Sequence, residues 1–376
     1  MPAPPRILMD GRPLLDPTSG GVFEYAQQIL DRLRRSASLS IETWADRFTG
    51  SFPKEIDRAT RWPNKILHAG VRAFGRPRLD RLAGVKPDLF WAPNPHFLSL
   101  SAGLPFALTI HDVSYERYPE FFSIKQRLWH AAVDPRHLAR RAARVLTVSN
   151  HAKSELVALY GIDPAKIEVT PEGCDDAYFE TPSITPADLR RALKLPDRFI
   201  LHIGALEPRK NHRSLIEAFE LLAAMPSYRD LGLVLAGPSG WNNADVCAAI
   251  ANSPFRGRII RLGFVDTETK RALYRAASVF AFPSYYEGFG LPPLEAMASG
   301  TPVVASFAAS LGGLIAAAGV LIDPYRPGEL ADGIASVLES PAFAAELARR
   351  GTARARQFSW EACAKKTESA LLRALD

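Results

Sequence analysis

The sequence predicts an α/β protein made of two doubly wound domains, each with a parallel sheet flanked by helices. The chain has 376 residues, which is too long for one ordinary domain and fits two of roughly 180 residues. Short apolar runs alternate with amphipathic helical patterns along the chain, as is typical of parallel α/β sheets. A hydrophobic fraction of 47% with 23% charged residues favours a large buried core over disorder.

The strands of the first half are predicted from apolar runs bounded by turn residues. They are residues 6–10, 88–93, 106–112, 145–149 and 166–171. Helical patterns lie between them, for example over residues 21–35 and 151–160. This alternation predicts a first Rossmann-like domain over residues 1–180.

The second half repeats the same alternation. Its predicted strands are residues 199–204, 231–237, 258–263, 279–284, 302–306 and 320–324. Residues 178–197 are rich in Pro and Thr and contain no strand pattern, so we place the hinge there. The second Rossmann-like domain is therefore expected over residues 181–358. In such a pair of domains, the ligand site is expected in a cleft at the carboxyl ends of the strands.

Composition indicates a cytoplasmic protein. Cys174, Cys247 and Cys363 are far apart in the sequence, so no pair has the spacing of a metal site or a redox motif. The first ten residues lack the apolar stretch of a signal peptide. No apolar run is long enough to span a bilayer.

The formal charge of +6 is concentrated between Lys54 and Lys86. A basic region of this kind suits nucleic acid, anionic lipid or a phosphorylated substrate, but no nucleic-acid-binding motif accompanies it. Leu67, Val71 and Phe74 recur at helical spacing within it, with basic residues between them. The pattern fits either a helix lying on an anionic membrane or a packed helix with a solvated face.

Residues 283–306 are the most informative segment. A strand is followed by a glycine-containing turn and then by a helix with Pro292 and Pro293 in its first turn. Unpaired N–H groups and the helix dipole make such a turn suitable for an anion. Glu287 and Glu295 flank the turn, and carboxylates accept hydrogen bonds from sugar hydroxyls. The alternative is an ordinary turn whose glutamates are solvated or cap the helix.

Two other loops follow predicted strands. Arg209 and Lys210 stand in the loop after the strand that ends at Gly204, where cations before a helix suit a diphosphate. Gly20 and Gly21 precede the first helix, and glycines there allow a ligand to approach the backbone closely. In each case the alternative is a simple solvated loop or turn.

His111 and Asp112 end a further strand and are expected at the same edge of the first sheet. A lone histidine is more often structural than catalytic. Asp112 is suited either to orienting His111 or to positioning an acceptor.

Metal and cofactor motifs are absent from the sequence. No two aspartates stand at i and i+2, no P-loop lysine motif occurs, and no G-x-G-x-x-G follows the first strand. We therefore expect no metal or other cofactor. Positive charge for a leaving diphosphate is then expected from Arg209, Lys210 and helix N-termini.

At residues 283–306 the sequence resembles the retaining glycosyltransferases of the GT-B fold known as family 4. The resemblance extends over nearly the whole chain, and residues 110–122 are similar to a subset acting on bacterial polysaccharides, often mannosyltransferases. It implies that Glu287 contacts the transferred sugar, that Glu295 contacts the ribose and that His111 contacts the donor sugar. It also implies that these residues surround the diphosphate and sugar: Gly20, Gly21, Gly204, Arg209, Lys210, Gly288, Phe289, Gly290 and Leu291. The nucleotide base is expected near Gly237 and Val265.

The expected reaction is retaining transfer of a hexose, with mannose from GDP-mannose favoured. The expected acceptor is a glycan or a polyprenyl-linked glycan of O-antigen or exopolysaccharide assembly. Residues 359–376 are expected to form a helix that crosses back to the first domain, on the resemblance alone. Gly312 and Gly313 replace a Pro-Glu pair of the family, so no family role is carried over to residues 307–318. The alternatives are a GT-B epimerase and a non-catalytic sugar-nucleotide-binding subunit.

Overall fold

The structure is a computed structural model that describes residues 3–17 and 20–376. The chain divides into two compact units. The first unit comprises the chain up to Tyr115, Ile124–Gly173 and Trp360–Asp376, and the second comprises Glu116–Ser123 and Cys174–Ser359.

Each unit is built on one parallel sheet. The strands are β1 Arg6–Asp10, β2 Ser40–Asp46, β3 Arg58–Thr60, β4 Leu89–Ala92, β5 Phe106–Thr109, β6 Arg144–Thr147, β7 Ile167–Val169, β8 Arg198–Ile203, β9 Leu231–Ala236, β10 Ile259–Gly263, β11 Val279–Phe282, β12 Val303–Ser306 and β13 Val320–Ile322. The strand order is β3-β2-β1-β4-β5-β6-β7 in the first sheet and β10-β9-β8-β11-β12-β13 in the second.

Both sheets reverse their strand order beside their central strand, between β1 and β4 in the first and between β8 and β11 in the second. In open parallel sheets, ligands bind outside the carboxyl ends of the strands at such a reversal. The topology therefore marks one candidate ligand position in each unit.

Helices cover the sheets. They are α1 Gly21–Leu33, α2 Asn64–Phe74, α3 Leu79–Leu82, α4 Ser114–Arg117, α5 Ile124–Val133, α6 Pro135–Arg141, α7 Asn150–Tyr160, α8 Pro186–Leu193, α9 His212–Ala223, α10 Ala244–Asn252, α11 Thr267–Ala276, α12 Leu291–Ala298, α13 Leu311–Ile315, α14 Pro327–Glu339, α15 Pro341–Ala355 and α16 Trp360–Leu372. Several begin at a side-chain cap: the Ser149 hydroxyl accepts from Ala152 N at the start of α7, and Asp266 accepts from Thr269 N at the start of α11.

The central strands are apolar along their whole length. All four residues of β4 and all six of β9 are buried, because helices cover both faces of a parallel sheet and leave neither face exposed to solvent. Each apolar run predicted as a strand contains one, which confirms those predictions. The sequence analysis missed β2 and β3, because β2 carries polar Glu42 and Thr43 and β3 is a short, largely exposed edge strand.

The main segment of the second unit begins at Cys174, whereas the sequence placed the boundary after residue 180. The turn Asp176–Phe179 packs within the second unit, since the ring of Tyr178 lies edge-on to Tyr274 at 6.1 Å. Arg275 also donates to Phe179 O at 3.0 Å. These contacts account for the earlier boundary.

The C-terminal helix α16 belongs to the first unit. It packs against α1, and its buried Trp360 lies edge-on to Tyr25 with ring centroids 6.4 Å apart. Ser36 Oγ donates a hydrogen bond to the Glu368 carboxylate of this helix. The last helix is thus part of the packing of the first unit.

The basic region contains α2, but the three apolar residues predicted to share one face of this helix do not have the same burial. Leu67 and Val71 are buried, but Phe74 is 80% exposed and Ile66 is 60% exposed. Phe74 is the last residue of α2, and the next residue, Gly75, adopts the left-handed conformation that ends the helix. The Phe74 side chain therefore lies outside the core. Among residues 3–17 and 20–376, no helix combines the length and apolar character needed to cross a membrane.

Candidate active site

The carboxyl ends of β8 and β11 bring together three predicted site residues. Arg209 and Lys210 lie in the short 3-10 turn Pro208–Lys210 after β8, and Glu287 follows β11. Lys210 Nζ donates to Glu287 Oε1 at 2.8 Å, and Arg209 Nη1 donates to Glu287 Oε2 at 2.7 Å. The two loops meet because β8 and β11 are neighbours in the sheet.

Glu287 is an ionised carboxylate in a buried position, with 6% of the residue exposed. Burial alone raises the pKa of its carboxyl group, but Arg209 and Lys210 outweigh burial and lower the pKa to about 2. Each oxygen holds one cation and retains a lone pair for a further donor. Glu287 is therefore suited to accept hydrogen bonds from a ligand hydroxyl.

Glu207 and Asn211 belong to the same cluster, and the sequence analysis missed both. Arg209 Nη2 donates to Glu207 Oε1 at 2.6 Å. The Asn211 side chain donates to Pro283 O at 3.0 Å and to Pro324 O at 2.7 Å. Asn211 has φ of 57°, a conformation that asparagine adopts more readily than most residues. The signal available in the sequence was an asparagine directly after the cation pair.

The turn between Glu287 and α12 has a conformation that only glycine accommodates at one position. Gly290 has φ of 117°, and a Cβ there would meet Leu311 Cδ2 at 2.7 Å. It precedes Leu291, where α12 begins with prolines in its first turn. The predicted turn Gly288–Leu291 thus places the start of a helix directly after Glu287, while its contact with the diphosphate stays a prediction.

Ser310, in the segment that departs from the family pattern, supports this turn. Its hydroxyl lies 2.8 Å from Glu287 O and 2.7 Å from Phe289 O, and its backbone starts the short helix α13. Gly312 allows close packing there, because a Cβ would meet Phe307 O at 2.8 Å. Although this segment departs from the family pattern, its Ser310 still holds the turn after Glu287 in place.

Glu295, on α12, is the centre of a second polar cluster. Lys270 Nζ donates to Glu295 Oε1 at 2.7 Å, and the Tyr274 hydroxyl donates to Oε2 at 2.8 Å. The carboxylate is nearly buried, and its two oxygens are oriented by these two donors from α11. Neither Lys270 nor Tyr274 was predicted, since the contact joins two helices with no shared sequence motif.

Gly204 and Gly237 allow the ends of β8 and β9 to approach closely. A Cβ on Gly237, which has φ of 140°, would meet Gly204 O at 2.1 Å, and a Cβ on Gly204 would meet Lys210 Cε at 3.6 Å. The close approach that requires glycine is at Gly237, whereas a Cβ on Gly204 would make only an ordinary contact with the stem of Lys210. Val265 lies in the loop between β10 and α11, and its place near a nucleotide base stays a prediction.

An aromatic segment of the second unit lies beside the Glu287 loop. The ring of Tyr118 packs against Tyr286 at 5.8 Å, and Phe121 stacks on Tyr285 at 5.5 Å. Trp241 Nε1 donates to Phe121 O at 2.8 Å. These contacts explain why residues 116–123 belong to the second unit.

His111 lies in the first unit, just beyond the end of β5. Its Nε2 is 3.0 Å from Pro93 O and its Nδ1 is 3.3 Å from Glu172 Oε1. Glu172 is therefore the carboxylate beside His111, and the sequence analysis missed it. Asp112 instead accepts from Ser114 N at 2.8 Å, so it caps a turn rather than orienting His111.

Gly20 and Gly21 open α1 at the exposed edge of the first unit. Gly20 has φ of 69°, a conformation that favours glycine. Thr18 and Ser19 of the same loop lie outside the described residues. Closure of this loop over donor phosphates stays a prediction.

The chemistry available at β8 and β11 is that of an anion-binding and hydroxyl-binding site. Arg209 and Lys210 supply two cations, the turn Gly288–Leu291 supplies backbone N–H groups, and Glu287 with Glu295 supplies acceptors. Within the described part of the chain, no three or more His, Cys, Asp and Glu side chains are grouped so as to hold a metal ion.

Comparison with known families also finds two parts in the chain. Residues 187–358 match the family model described as Glycosyl transferases group 1. Residues 19–178 match the model described as Glycosyltransferase Family 4.

Two curated relatives have names that point to sugar transfer. The chain is 33% identical to O-antigen chain mannosyltransferase B of Escherichia coli over 81% of this chain and 78% of the relative. It is 33% identical to D-inositol 3-phosphate glycosyltransferase 2 of Catenulispora acidiphila over 97% of this chain and 93% of the relative.

Solved structures show the same fold. Sucrose-phosphate synthase from Thermosynechococcus elongatus has a TM-score of 0.78 at 24% identity, covering 97% of this chain and 98% of that one. HepE of Anabaena in complex with UDP-glucose has a TM-score of 0.75 at 23% identity, covering 97% and 99%. With two parallel α/β units and these relatives, the chain belongs to the GT-B glycosyltransferases of the group 1 and family 4 type.

Proposed function

We propose that this glycosyltransferase is a retaining mannosyltransferase that uses GDP-mannose and a glycan or lipid-linked acceptor in bacterial polysaccharide assembly. The observation that carries the proposal is the cluster of Arg209, Lys210 and Glu287 at the strand reversal of the second sheet. It combines cations for a diphosphate with an ionised acceptor for sugar hydroxyls.

The roles follow from the contacts of each side chain. Arg209 and Lys210 stabilise the charge that develops on the leaving diphosphate. Glu287 orients the sugar through its hydroxyls. Glu295, held by Lys270 and Tyr274, accepts hydrogen bonds from the ribose.

In the transfer step, the acceptor oxygen forms a bond to the anomeric carbon on the face from which the diphosphate departs. The bond between that carbon and the phosphate oxygen breaks, and its electron pair stays on the diphosphate. The acceptor proton passes to the departing phosphate oxygen, so no separate protein base is required.

The choice of mannose rests on the name of the E. coli relative, an O-antigen chain mannosyltransferase. The HepE structure contains UDP-glucose, but its identity of 23% supports the fold alone. An epimerase would break the same donor bond without an acceptor. A non-catalytic binding subunit would bind the sugar nucleotide but convert no substrate. The buried cations and carboxylates favour an enzyme over a non-catalytic binding subunit.

A donor screen tests this proposal. We expect GDP-mannose to raise the melting temperature more than UDP-glucose or ADP-glucose, because a ligand that binds only the folded state stabilises it. The shift is expected to persist in EDTA, since we propose that protein cations replace a metal ion. Product analysis with a mannose-terminated glycan should show a new α-linkage.

Three outcomes count against parts of the proposal. A larger shift with UDP- or ADP-sugars rejects GDP-mannose as the donor. Release of a free epimerised sugar nucleotide supports the epimerase. Loss of activity in EDTA that returns with Mg²⁺ rejects metal-independent transfer.

We further propose that α2 attaches the protein peripherally to the cytoplasmic face of an anionic membrane. The helix exposes Ile66 and Phe74 and carries Lys65 and Arg72 on exposed positions, with Arg76 just beyond its end. Its sequence contains no acidic residue. Exposed apolar side chains among cations are the features of an interfacial helix.

Vesicle sedimentation tests the membrane proposal. Ile66→Ser with Phe74→Ser should lower binding to vesicles containing phosphatidylglycerol about hundredfold or more, because burying each side chain contributes about 1.5–3 kcal/mol. Phe264→Ser is the matched control, since Phe264 is 66% exposed on the second unit. Equal binding by the double variant and the control, or no binding of wild-type protein at low salt, rejects the proposal. Binding to RNA that the double variant retains would point to nucleic acid instead.

A further inference from the structure

A buried histidine lies beside Lys210 and has no role in the proposed transfer step. His202 stands on β8, two residues before Gly204, and is fully buried. Its ring stacks on Phe282 at 5.3 Å and lies edge-on to His212, the first residue of α9, at 4.5 Å. Buried polar atoms in native proteins nearly always have a hydrogen-bond partner, so each nitrogen of this ring should have a use.

One nitrogen of His202 donates and the other can only accept. Nδ1 lies 2.9 Å from Ala281 O, and a carbonyl oxygen is an acceptor, so Nδ1 carries a hydrogen. Burial, with a smaller contribution from Lys210, lowers the pKa of His202 to about 4. The ring is therefore neutral at pH 7, and Nε2 holds a lone pair.

The lone pair of Nε2 has no donor. No residue that the structure describes forms a hydrogen bond with His202 Nε2. A buried acceptor without a donor lowers the stability of the folded protein, and its retention calls for an explanation in the working state of the site.

The side chain of Lys210 lies against the same glycine as Nε2. A Cβ on Gly204 would be 3.2 Å from His202 Nε2 and 3.6 Å from Lys210 Cε. The Lys210 ammonium has three N–H groups, and one of them donates to Glu287 Oε1. The ammonium also lies 5.0 Å from the centre of the Phe282 ring on which His202 stacks. A buried acceptor and a cation with further N–H groups are thus neighbours.

A neutral acceptor suits this position better than a carboxylate. Arg209 and Lys210 are already paired with Glu207 and Glu287, which gives two charges of each sign. A third carboxylate would make the cluster negative and weaken its attraction for a diphosphate. A neutral imidazole fixes the direction of the ammonium and leaves its charge for the diphosphate.

We infer that His202 is a positioning residue for Lys210: its Nε2 accepts a hydrogen bond from the Lys210 ammonium while that ammonium holds the leaving diphosphate. The inference rests on the proposed role of Lys210 in sugar transfer. It adds a residue that acts through Lys210 and does not touch the substrate.

Two substitutions separate the two nitrogens of His202. His202→Asn retains a donor for Ala281 O and removes the acceptor, whereas His202→Gln places an amide oxygen near the position of Nε2 and loses the donor. The kcat of His202→Asn should fall about tenfold through the lost hydrogen bond to a charged group, with the KM for the acceptor unchanged. The kcat of His202→Gln should stay close to that of wild type. An equal loss in both variants, or a larger loss in His202→Gln, indicates a purely structural histidine and overturns the inference.

Proton–nitrogen correlation NMR on full-length protein labelled at histidine tests the contact without turnover. Wild-type His202 should show a protonated Nδ1 and an unprotonated Nε2, and inorganic pyrophosphate should shift the Nε2 resonance. His137, exposed on α6, is the control and should not shift. A protonated Nε2, or an Nε2 resonance that pyrophosphate leaves unmoved, overturns the inference.

The pyrophosphate result is independent of the proposed donor, because pyrophosphate carries neither base nor sugar. If the protein transfers glucose from UDP-glucose and does not use GDP-mannose, the donor proposal fails. A shifted Nε2 resonance and a slow His202→Asn variant with UDP-glucose would then still support the role of His202.

Discussion

Replacing Arg209 by alanine is expected to slow sugar transfer about hundredfold, which corresponds to about 3 kcal/mol in the transition state. The guanidinium lies between Glu207 and Glu287 at 2.6 and 2.7 Å, so its position is fixed before a diphosphate arrives. Removing it leaves Lys210 as the only side-chain cation of the pair. The measurement is kcat at saturating donor and acceptor.

Arg213→Ala is the matched control for this variant. Arg213 is close to Arg209 in the sequence but lies on the exposed face of α9 and pairs with Glu217 at 3.0 Å. Its removal should leave kcat unchanged. Near-normal kcat in Arg209→Ala, or an equal loss in both variants, would contradict the assigned role.

Glu287→Gln is expected to destabilise the folded protein by about 3 kcal/mol at neutral pH, since two buried cations lose their shared carboxylate. The pKa of Glu287 is lowered to about 2 from an ordinary value of 4.5. A group with a depressed pKa stabilises the fold fully above its unfolded pKa and loses this contribution as pH falls through its folded pKa. The difference in unfolding free energy between wild type and variant should therefore be constant above about pH 5 and shrink from there toward pH 2.

Glu217→Gln gives the comparison for the acid titration, because Glu217 is partly exposed and pairs with surface Arg213 at 3.0 Å. An exposed pair contributes about 0–1 kcal/mol, so this variant should unfold nearly as wild type at every pH. Chemical denaturation at several pH values measures both variants. A pH-independent difference for Glu287→Gln would exclude an ionised Glu287 as the source of the effect.

The sequence was sufficient to predict what depends on local pattern. The apolar runs of β8 and β11 were recognised as strands, and residues after strand ends were expected to meet at one edge of a sheet. Arg209 and Glu287 do meet there, because β8 and β11 are adjacent in the sheet.

Contacts that depend on packing were not predicted. Lys270 and Tyr274 reach Glu295 from another helix, and Glu172 reaches His111 from a distant loop. Each is an ordinary charged or polar residue in its own segment, so no local pattern distinguishes it.

The path of the chain has a consequence for protein engineering. The first unit is assembled from three stretches of sequence and the second from two, so no single cut separates them into independent fragments. Removing α16 would expose the side of α1 that packs against Trp360. The loss of stability would therefore be in the first unit. A purification tag at the carboxyl terminus is therefore attached to the unit that starts the chain, and not to the unit that carries Glu287.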